Sequence, residues 1–484
     1  MKLKTLMQGL DVVIKGKKEL EIHGICAHSK QVAPGDLFIA NSGAKTEGTL
    51  YIDEAIKAGA YAILTDLYNP FLPQVTQIIS KNPREIESEI AKRFYKNPSK
   101  SLDVIGVTGT NGKTTTTYLI KHLLEDQKNA CGLIGTIETQ IADHRFFSSL
   151  TTPDVISINK FFREMIHKGC SKVVMEVSSH ALIQKRIDQI EFDIAVFTNL
   201  TQDHLDFHKT MQAYAEAKAL LFKHLSLYQE KKKKFAVINF DDPCFELMKK
   251  SCKEKVLGYS LKNPKADVFA SNIVYKTDGT TFTLHLGKEM VNVKMRLIGE
   301  FNVYNALAAA AVAFYRGVSS RVIAERFSSF TEVKGRLEKV KNKKRLHVFV
   351  DYAHTDKALE NVLLTLRLLT KGSLTVVFGC GGDRDKGKRP LMGKVASLHA
   401  DKIILTSDNP RSEDPNQIME EILSGIDKKE KVIMEVDRKK AIEQALSSCK
   451  KNDIVLIAGK GHEMTQTFKE KAAPFSDVAV VENY

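Results

Sequence analysis

Along this chain, short apolar runs rich in branched side chains recur between longer segments of helical spacing. Asp36-Leu37-Phe38-Ile39-Ala40, Tyr61-Ala62-Ile63-Leu64-Thr65 and Lys172 to Met175 are runs of the first kind. Runs of that length, bounded by helical patterns, predict strands covered on both faces, as in a parallel sheet. Further strands are expected at Ile194 to Thr198 and Phe235 to Ile238, then at His347 to Asp351, Ser373 to Phe378, Lys402 to Thr406 and Asp453 to Ala458. Gly48 to Ala58 has helical spacing, and the Ala-rich stretch Asn302 to Tyr315 predicts a strong helix. Loop-like composition at Lys96-Asn97-Pro98-Ser99-Lys100 and at Lys334-Gly335-Arg336 divides the chain into three domains, 1–99, 100–333 and 334–484.

Composition narrows the class. The longest apolar run, Ala306 to Tyr315, is too short for a bilayer, which takes about 20 residues. The N-terminus carries Lys2 and Lys4 but no secretory h-region or cleavage site, so a cytoplasmic location is expected. Cys26, Cys131, Cys170, Cys244, Cys252, Cys380 and Cys449 lie scattered with no Cys-x-x-Cys pair. That spacing argues for a reduced compartment and against a disulfide framework or a structural zinc site. The net charge of +14 raises the question of nucleic acid. The basic residues are spread out, however, and the runs Lys231-Lys232-Lys233-Lys234 and Lys341-Asn342-Lys343-Lys344-Arg345 read as solvated loops. With no Trp there is no cluster of aromatic stacking residues beside a basic patch. A monomer acting on anionic small molecules is expected, with no nucleic-acid or membrane partner.

The densest chemistry lies at Gly106-Val107-Thr108-Gly109-Thr110-Asn111-Gly112-Lys113-Thr114-Thr115. An apolar run, Leu102 to Ile105, precedes it and a helical segment, Tyr118 to Leu124, follows. Strand, Gly-rich turn and a helix opening on Lys-Thr make a phosphate-binding loop. Backbone N–H groups converge on phosphate oxygens, Lys113 reaches the terminal phosphates, and Thr114 or Thr115 offers a hydroxyl to magnesium. Gly106 and Gly112 stand one residue further apart than in the common form of this motif. The chain is expected to bind a nucleoside triphosphate with Mg2+, and the fold class is α/β. A central P-loop parallel-sheet domain would sit between a small N-terminal α/β domain and a Rossmann-like C-terminal domain.

Polar residues gather where expected strands end, which is where open α/β sheets place ligands. Glu176-Val177-Ser178-Ser179-His180 follows one strand, and Thr198-Asn199-Leu200-Thr201-Gln202-Asp203-His204 another. A carboxylate and an imidazole near a phosphate loop can hold a divalent cation. Thr151-Thr152-Pro153-Asp154 reads as a helix start, with a Thr cap, Pro in the first turn and Asp against the dipole. Lys218, in a helical pattern, would ordinarily be a solvated side chain. In the last third, Asp351-Tyr352-Ala353-His354-Thr355, the basic Gly-rich loop Gly379 to Pro390, Asp408-Asn409-Pro410-Arg411 and Ala458-Gly459-Lys460-Gly461-His462-Glu463 follow four successive strands. Four such loops together point to a binding site.

These motifs, with Gly299-Glu300-Phe301-Asn302-Val303-Tyr304-Asn305-Ala306 and Lys334-Gly335-Arg336, resemble the Mur ligases of peptidoglycan synthesis, in the family's order over nearly the whole chain. The resemblance implies an ATP-dependent acid–amino-acid ligase serving cell-wall biogenesis, cell shape and division. Thr151 to Asp154, the loop 379–390 and Asp408 to Arg411 are similar to members that add the third residue of the stem peptide. The Asp-Asn-Pro-Arg motif resembles the form that takes meso-diaminopimelate rather than lysine. By the same resemblance, Gly109, Thr110, Asn111, Gly112, Lys113, Thr114, Thr115, Asn305, Arg336 and His354 would hold ATP. Thr114, Glu176, His204 and Lys218 would serve magnesium, with Lys113, His204 and Lys218 catalytic and Lys218 carbamylated. Ser29, Thr151, Thr152, Ser178, Gln184 and Arg186 would hold the UDP-muramoyl dipeptide. Arg384, Asp408, Asn409, Pro410, Arg411, Gly459 and Glu463 would hold diaminopimelate. One departure is His28-Ser29-Lys30, where the family usually has Asp-Ser-Arg. A lysine-adding ligase, a folylpolyglutamate synthase-like ligase and a nucleic-acid-dependent P-loop NTPase remain alternatives.

Overall fold

The computed structural model describes residues 1–41, 48–127, 129–228, 231, 233–469 and 471–484. They form two compact units, one of Met1–Gly106, Asp126–Asp193 and Leu227–Lys234, the other of Val107–Glu125, Ile194–Ser226 and Phe235–Tyr484.

The first unit opens with a five-stranded sheet in the spatial order Val13–Lys15, Thr76–Ile79, Ala62–Thr65, Asp36–Ile39, Gly24–Cys26. Only the Val13–Lys15 edge is antiparallel. Successive side chains of a strand point to opposite faces, so each apolar run feeds two cores. Leu37, Ile39, Leu64 and Ile78 pack with Ile90 and Ala91 of the helix Pro83–Phe94. Phe38 and Ile63 pack with Ala55 on the other side. The helical pattern at 48–58 becomes a 3-10 turn, Gly48–Tyr51, and a short helix, Ile52–Lys57. Cys170–Glu176 runs parallel to Ala130–Ile134, from which antiparallel strands Glu138–Ile141 and His144–Phe147 continue. His144–Phe147 is exposed throughout, so no buried period marks it in the sequence.

Two expectations fail in this unit. The helix Val155–His167 is capped by Asp154, whose side chain accepts from the Ser157 N–H at 2.9 Å, and not by a threonine. The lysine run is also not wholly solvated. Lys231 donates to the carbonyls of Leu102 (2.8 Å) and Glu191 (2.9 Å) and pairs with Asp193, and Lys234 donates to Tyr228 O at 2.6 Å. Lys232 lies outside the described residues.

In the second unit, Ile194–Phe197, Phe235–Asn239 and Lys255–Ser260 are parallel. An antiparallel meander, Val268–Lys276, Gly279–Leu286 and Glu289–Met295, extends them. Phe282, Leu284 and Leu286 are buried while Thr281, Thr283 and His285 are half-exposed. That is the two-residue period of a sheet with one wet face, which a search for continuous apolar runs passes over. The helix Glu300–Tyr315 is apolar nearly all round, and its alanines allow close packing on the helix Lys113–Leu124. A six-stranded sheet follows in the order Glu338–Val340, His347–Asp351, Ile454–Ala458, Leu374–Phe378, Lys402–Leu405, Val432–Met434, parallel apart from its first pair. Four of these strands were expected, each within about a residue of its observed ends. Lys341, Lys343, Lys344 and Arg345 are exposed, as expected of a solvated loop. Among the described residues, no helix is long and apolar enough to cross a membrane.

Candidate active site

The phosphate loop joins the strand Asp103–Thr108 to the helix Lys113–Leu124. Two of its glycines are required by backbone shape and close approach. Gly109 has φ +151°, and a Cβ there would lie 1.8 Å from Thr198 Oγ1. Gly112, at φ +84°, caps the helix, and a Cβ would lie 2.3 Å from Asn305 Oδ1. The loop is held by the segment after the strand Ile194–Phe197. Thr110 N donates to Asn199 O (2.8 Å), Asn111 N to Asn199 Oδ1 (3.0 Å) and Thr198 Oγ1 to Asn111 O (2.7 Å). Thr110 Oγ1 meets the Tyr214 hydroxyl at 3.2 Å. A loop fixed by this many partners presents its geometry without reorganising, which is what charge stabilisation needs.

Two lysines converge on this loop. Lys113 Nζ donates to the carbonyls of Gly109 (3.0 Å) and Thr110 (2.8 Å). Lys218, from the helix Met211–Leu225, donates to the same Gly109 carbonyl at 2.7 Å, with its Nζ 4.3 Å from the centre of the Tyr214 ring. The expectation of a solvated Lys218 fails, because the residue is 1% exposed. Burial, and then the Lys113 charge, hold its ammonium well below the ordinary lysine range. Both effects favour the neutral amine over the ammonium.

A cavity of about 530 Å³, in the size range of small-ligand sites, opens beside the loop. Asn111, Gly112 and Thr115 are among the residues lining it, as are Phe301, Tyr304 and Leu368. Thr116 Oγ1 donates to Asn305 Oδ1 (3.2 Å), and Asn305 Nδ2 donates to Asn302 Oδ1 (3.1 Å). Arg336 Nη2 donates to Thr114 Oγ1 at 3.1 Å, and its guanidinium lies 4.6 Å from the Tyr352 ring centre. His354, also lining the cavity, donates from Nδ1 to Tyr352 O (2.9 Å), and burial lowers its basicity. Burial raises Asp351 to about 6, against the Arg336 charge and hydrogen bonds from the N–H groups of Leu337 and Ala353. His204 Nε2 lies 3.4 Å from Asp203 Oδ2. Burial would raise Asp203, but His204, His354 and Lys388 hold it below its ordinary value.

Three loops at the carboxyl ends of the last sheet's strands also meet. A Cβ on Gly382 would lie 1.9 Å from Pro410 O, and one on Gly459 (φ +113°) would lie 2.5 Å from Asp408 Oδ2. Arg411 Nη1 donates to Gly382 O at 2.6 Å, and Asn409 Nδ2 to Glu463 Oε2 at 2.8 Å. Arg384 is turned onto its neighbour, Nη1 donating to Asp383 O at 2.9 Å. Arg389, fully buried, clamps Glu413 (2.9 Å) and Glu421 (2.8 Å), and that pairing holds the Glu413 carboxyl down to about 2.

In the first unit the structure gathers most of the residues assigned to the dipeptide substrate. Thr152 Oγ1 donates to Glu176 O (2.8 Å) and accepts from Ser178 N (3.0 Å). Arg186 donates to Thr152 O (2.8 Å) and to Gln184 Oε1 (2.5 Å). Thr151 Oγ1 meets Thr136 Oγ1 at 3.1 Å, and Thr136 donates to both oxygens of Glu176, from N at 2.8 Å and from Oγ1 at 3.0 Å. Ser29 is buried elsewhere in this unit and donates to Glu54 Oε2 at 2.6 Å. Sequence reasoning missed Thr136, Asp203 and Lys460. Asp203 and Lys460 lay inside quoted motifs, whereas nothing in the sequence distinguishes Thr136.

Among the described residues, no three His, Cys, Asp or Glu side chains gather as a metal cage. Magnesium at a nucleotide takes only one or two protein donors beside phosphate oxygens and water, so this does not weigh against it. The Thr114 hydroxyl at the helix start is an oxygen donor of the kind magnesium takes, whereas the half-exposed His204 offers a nitrogen.

Comparison with known proteins identifies the assembly. Residues 107–313 match the Mur ligase middle domain, 335–461 the Mur ligase glutamate ligase domain, and 21–95 the Mur ligase family catalytic domain. The chain belongs to the Mur ligase family. This Mur ligase is 44% identical over 483 residues to UDP-N-acetylmuramoyl-L-alanyl-D-glutamate–2,6-diaminopimelate ligase of Caldanaerobacter subterraneus subsp. tengcongensis, covering 99% of this chain and 98% of that one. It is 42% identical over 480 residues to the ligase of the same name from Syntrophomonas wolfei, covering 99% and 97%. A solved structure of a ligase of that name superposes with a TM-score of 0.69 at 35% identity, over 99% of this chain and 98% of the other. The Mur ligase has the α/β, parallel-sheet fold expected from its sequence.

Proposed function

We propose that this Mur ligase joins meso-diaminopimelate to the D-glutamyl carboxylate of UDP-N-acetylmuramoyl-L-alanyl-D-glutamate in peptidoglycan synthesis, converting ATP to ADP and phosphate. The observation that carries this reading is the near full-length likeness to ligases of that name, including 44% identity over 99% of the chain. In this reading the chain is a cytoplasmic monomer organised as 1–99 for the uridine end of the substrate, 100–333 for ATP and 334–484 for the amino acid. Its partners are small molecules, not nucleic acid or membrane.

The Gly109–Thr115 loop cradles the triphosphate, with Asn305, Arg336 and His354 around the nucleotide. Lys113 leaves its own carbonyls for the transferring phosphoryl group. In the first unit, Thr151, Thr152, Ser178, Gln184 and Arg186 orient the dipeptide, and Ser29 contacts its uridine end. The carboxylate oxygen attacks the γ-phosphorus in line and ADP departs, leaving an acyl phosphate. The deprotonated amine of diaminopimelate attacks the acyl carbon, phosphate leaves with the bonding electron pair, and the nitrogen loses its extra proton to water or to the departing phosphate. Arg384, Asp408, Asn409, Pro410, Arg411 and Gly459 hold the amino acid, while Glu463 takes the ammonium at its far end. Water is excluded while the acyl phosphate exists, since hydrolysis would waste it. Thr114, Glu176, His204 and Lys218 are the residues that would hold magnesium, which would supply positive charge to offset that on the phosphate oxygens. Lys218 suits a carbamate because burial and the Lys113 charge favour its neutral amine, the form that adds to the carbon of carbon dioxide and releases a proton to give an anionic oxygen donor.

Phosphate release tests the reading. It should require ATP, magnesium, UDP-muramoyl dipeptide and diaminopimelate together. Release supported by lysine, by a folate with glutamate, or by nucleic acid in place of these would contradict it.

A further inference from the structure

Lys460 has no role in the scheme above, yet it is a fully buried lysine inside the amino-acid loops. Its backbone turns inward because it stands between two glycines of positive φ, Gly459 (+113°) and Gly461 (+54°). A Cβ on the first would lie 2.5 Å from Asp408 Oδ2, and one on the second 2.8 Å from Gly335 O. Lys460 therefore points beneath the loops and not to solvent. Nζ donates to Asn409 Oδ1 at 3.0 Å and to Glu463 Oε2 at 2.8 Å. Asn409 Nδ2 donates to the same Glu463 oxygen at 2.8 Å, and Thr467 N donates to Asn409 Oδ1 at 2.9 Å.

The consequence is an asymmetric carboxylate. Glu463 Oε2 receives two donors, whereas no described residue donates to Oε1, and the side chain is 30% exposed. Charge-assisted hydrogen bonds of this kind are short and directional, so the rotation of the carboxylate is set by Lys460 and Asn409 together. We infer that Lys460 is a positioning residue for amino-acid selection: it fixes Glu463 so that Oε1 receives the ammonium at the far end of the incoming amino acid. This rests on the diaminopimelate reading above. Without the Lys460 charge, Asn409 alone would hold Glu463, and two groups that read the substrate would lose their common anchor.

The test is a comparison of diaminopimelate with 2-aminopimelate, which keeps the far carboxylate and lacks the far ammonium. In Lys460→Met the KM for diaminopimelate should rise about 10- to 100-fold, the scale of a lost charged hydrogen bond. The KM values for ATP and the UDP-dipeptide should stay near those of the unsubstituted protein. The preference for diaminopimelate over 2-aminopimelate should collapse, whereas a merely structural loss would weaken both amino acids alike. Lys460→Gln, which keeps a hydrogen-bond donor at that position and removes the charge, should lower the same ratio, and it decides the matter if Lys460→Met does not fold. An unchanged ratio in either folded variant overturns the role of Lys460. Failure of the unsubstituted protein to use diaminopimelate at all overturns the substrate reading as well, so the two failures are distinct.

Discussion

Gly112→Ala isolates one link between the phosphate loop and the helix behind it. At φ +84° an alanine is strained by about 1–2 kcal/mol, the cost of left-handed backbone for a residue with a Cβ. The new methyl would also lie 2.3 Å from Asn305 Oδ1, roughly 1 Å inside van der Waals contact. Asn305 is buried and accepts from Thr116 at 3.2 Å, so moving it breaks or distorts a buried hydrogen bond, at about 1–3 kcal/mol. The sum is about 2–5 kcal/mol, divided between folding stability and nucleotide binding. We expect a KM for ATP raised at least ~10-fold together with a lower Tm. Steady-state phosphate release gives the first and thermal unfolding the second. A double-mutant cycle with Asn305→Ala, read by unfolding free energy, separates the two causes. The steric part should vanish when Oδ1 is absent, leaving a coupling of about 1–3 kcal/mol. Unchanged KM for ATP and unchanged Tm in Gly112→Ala would refute the close approach.

Three further outcomes follow from other parts of the structure. Lys218→Ala should lose at least ~100-fold in turnover, the scale of removing one preorganised charge contact, and small carboxylic acids should restore part of it. Wild-type turnover would show that the buried amine has no part in the chemistry. Arg411→Ala should raise the KM for diaminopimelate and narrow its advantage over lysine with the KM for ATP unchanged, because lysine lacks the far carboxylate that a guanidinium pairs with. Burial, with Asp154 adding and the Asn41 hydrogen bond and Arg84 opposing, raises Glu87 from 4.5 to about 7. Its folded-state value lies above its unfolded one, so its contribution to stability is present below about 4.5 and is lost as pH rises through about 7. Glu87→Gln should therefore gain on the wild type by up to about 3 kcal/mol between pH 5 and pH 8, read as Tm at the two pH values, and a constant Tm difference would contradict this.

The parts of this molecule that were legible in the sequence are those written locally. The glycine spacing before Lys113-Thr114 sets both the turn and the helix start, and the apolar runs of the last sheet have no other way to be buried. The loops after those strands were legible for the same reason, since strand ends fix where Asp408 to Arg411 and Gly459 to Glu463 emerge. What escaped depends on partners distant in sequence. Lys218 was placed in the site by the family resemblance alone, and from its own neighbours it reads as any helix lysine until the Gly109 carbonyl, 109 residues earlier, is known to sit against it. Lys231 reads as one of four solvated lysines until the carbonyls of Leu102 and Glu191 are found beside it. The meander from Val268 to Met295 has one wet face, and its polar half hides it from a search for unbroken apolar runs. Lys460 was in view within a quoted motif, but its burial is decided by glycine backbone shapes that composition does not reveal.

The central claim is that a carboxylate is activated by phosphoryl transfer before the amine attacks. A UDP-muramoyl dipeptide labelled with 18O in its D-glutamyl carboxylate tests this directly when turned over with ATP and diaminopimelate. Mass spectrometry of the phosphate should find one 18O atom per turnover, carried from the carboxylate as the acyl phosphate collapses, and the nucleotide-linked product should gain one diaminopimelate residue. Unlabelled phosphate alongside that product would contradict the account.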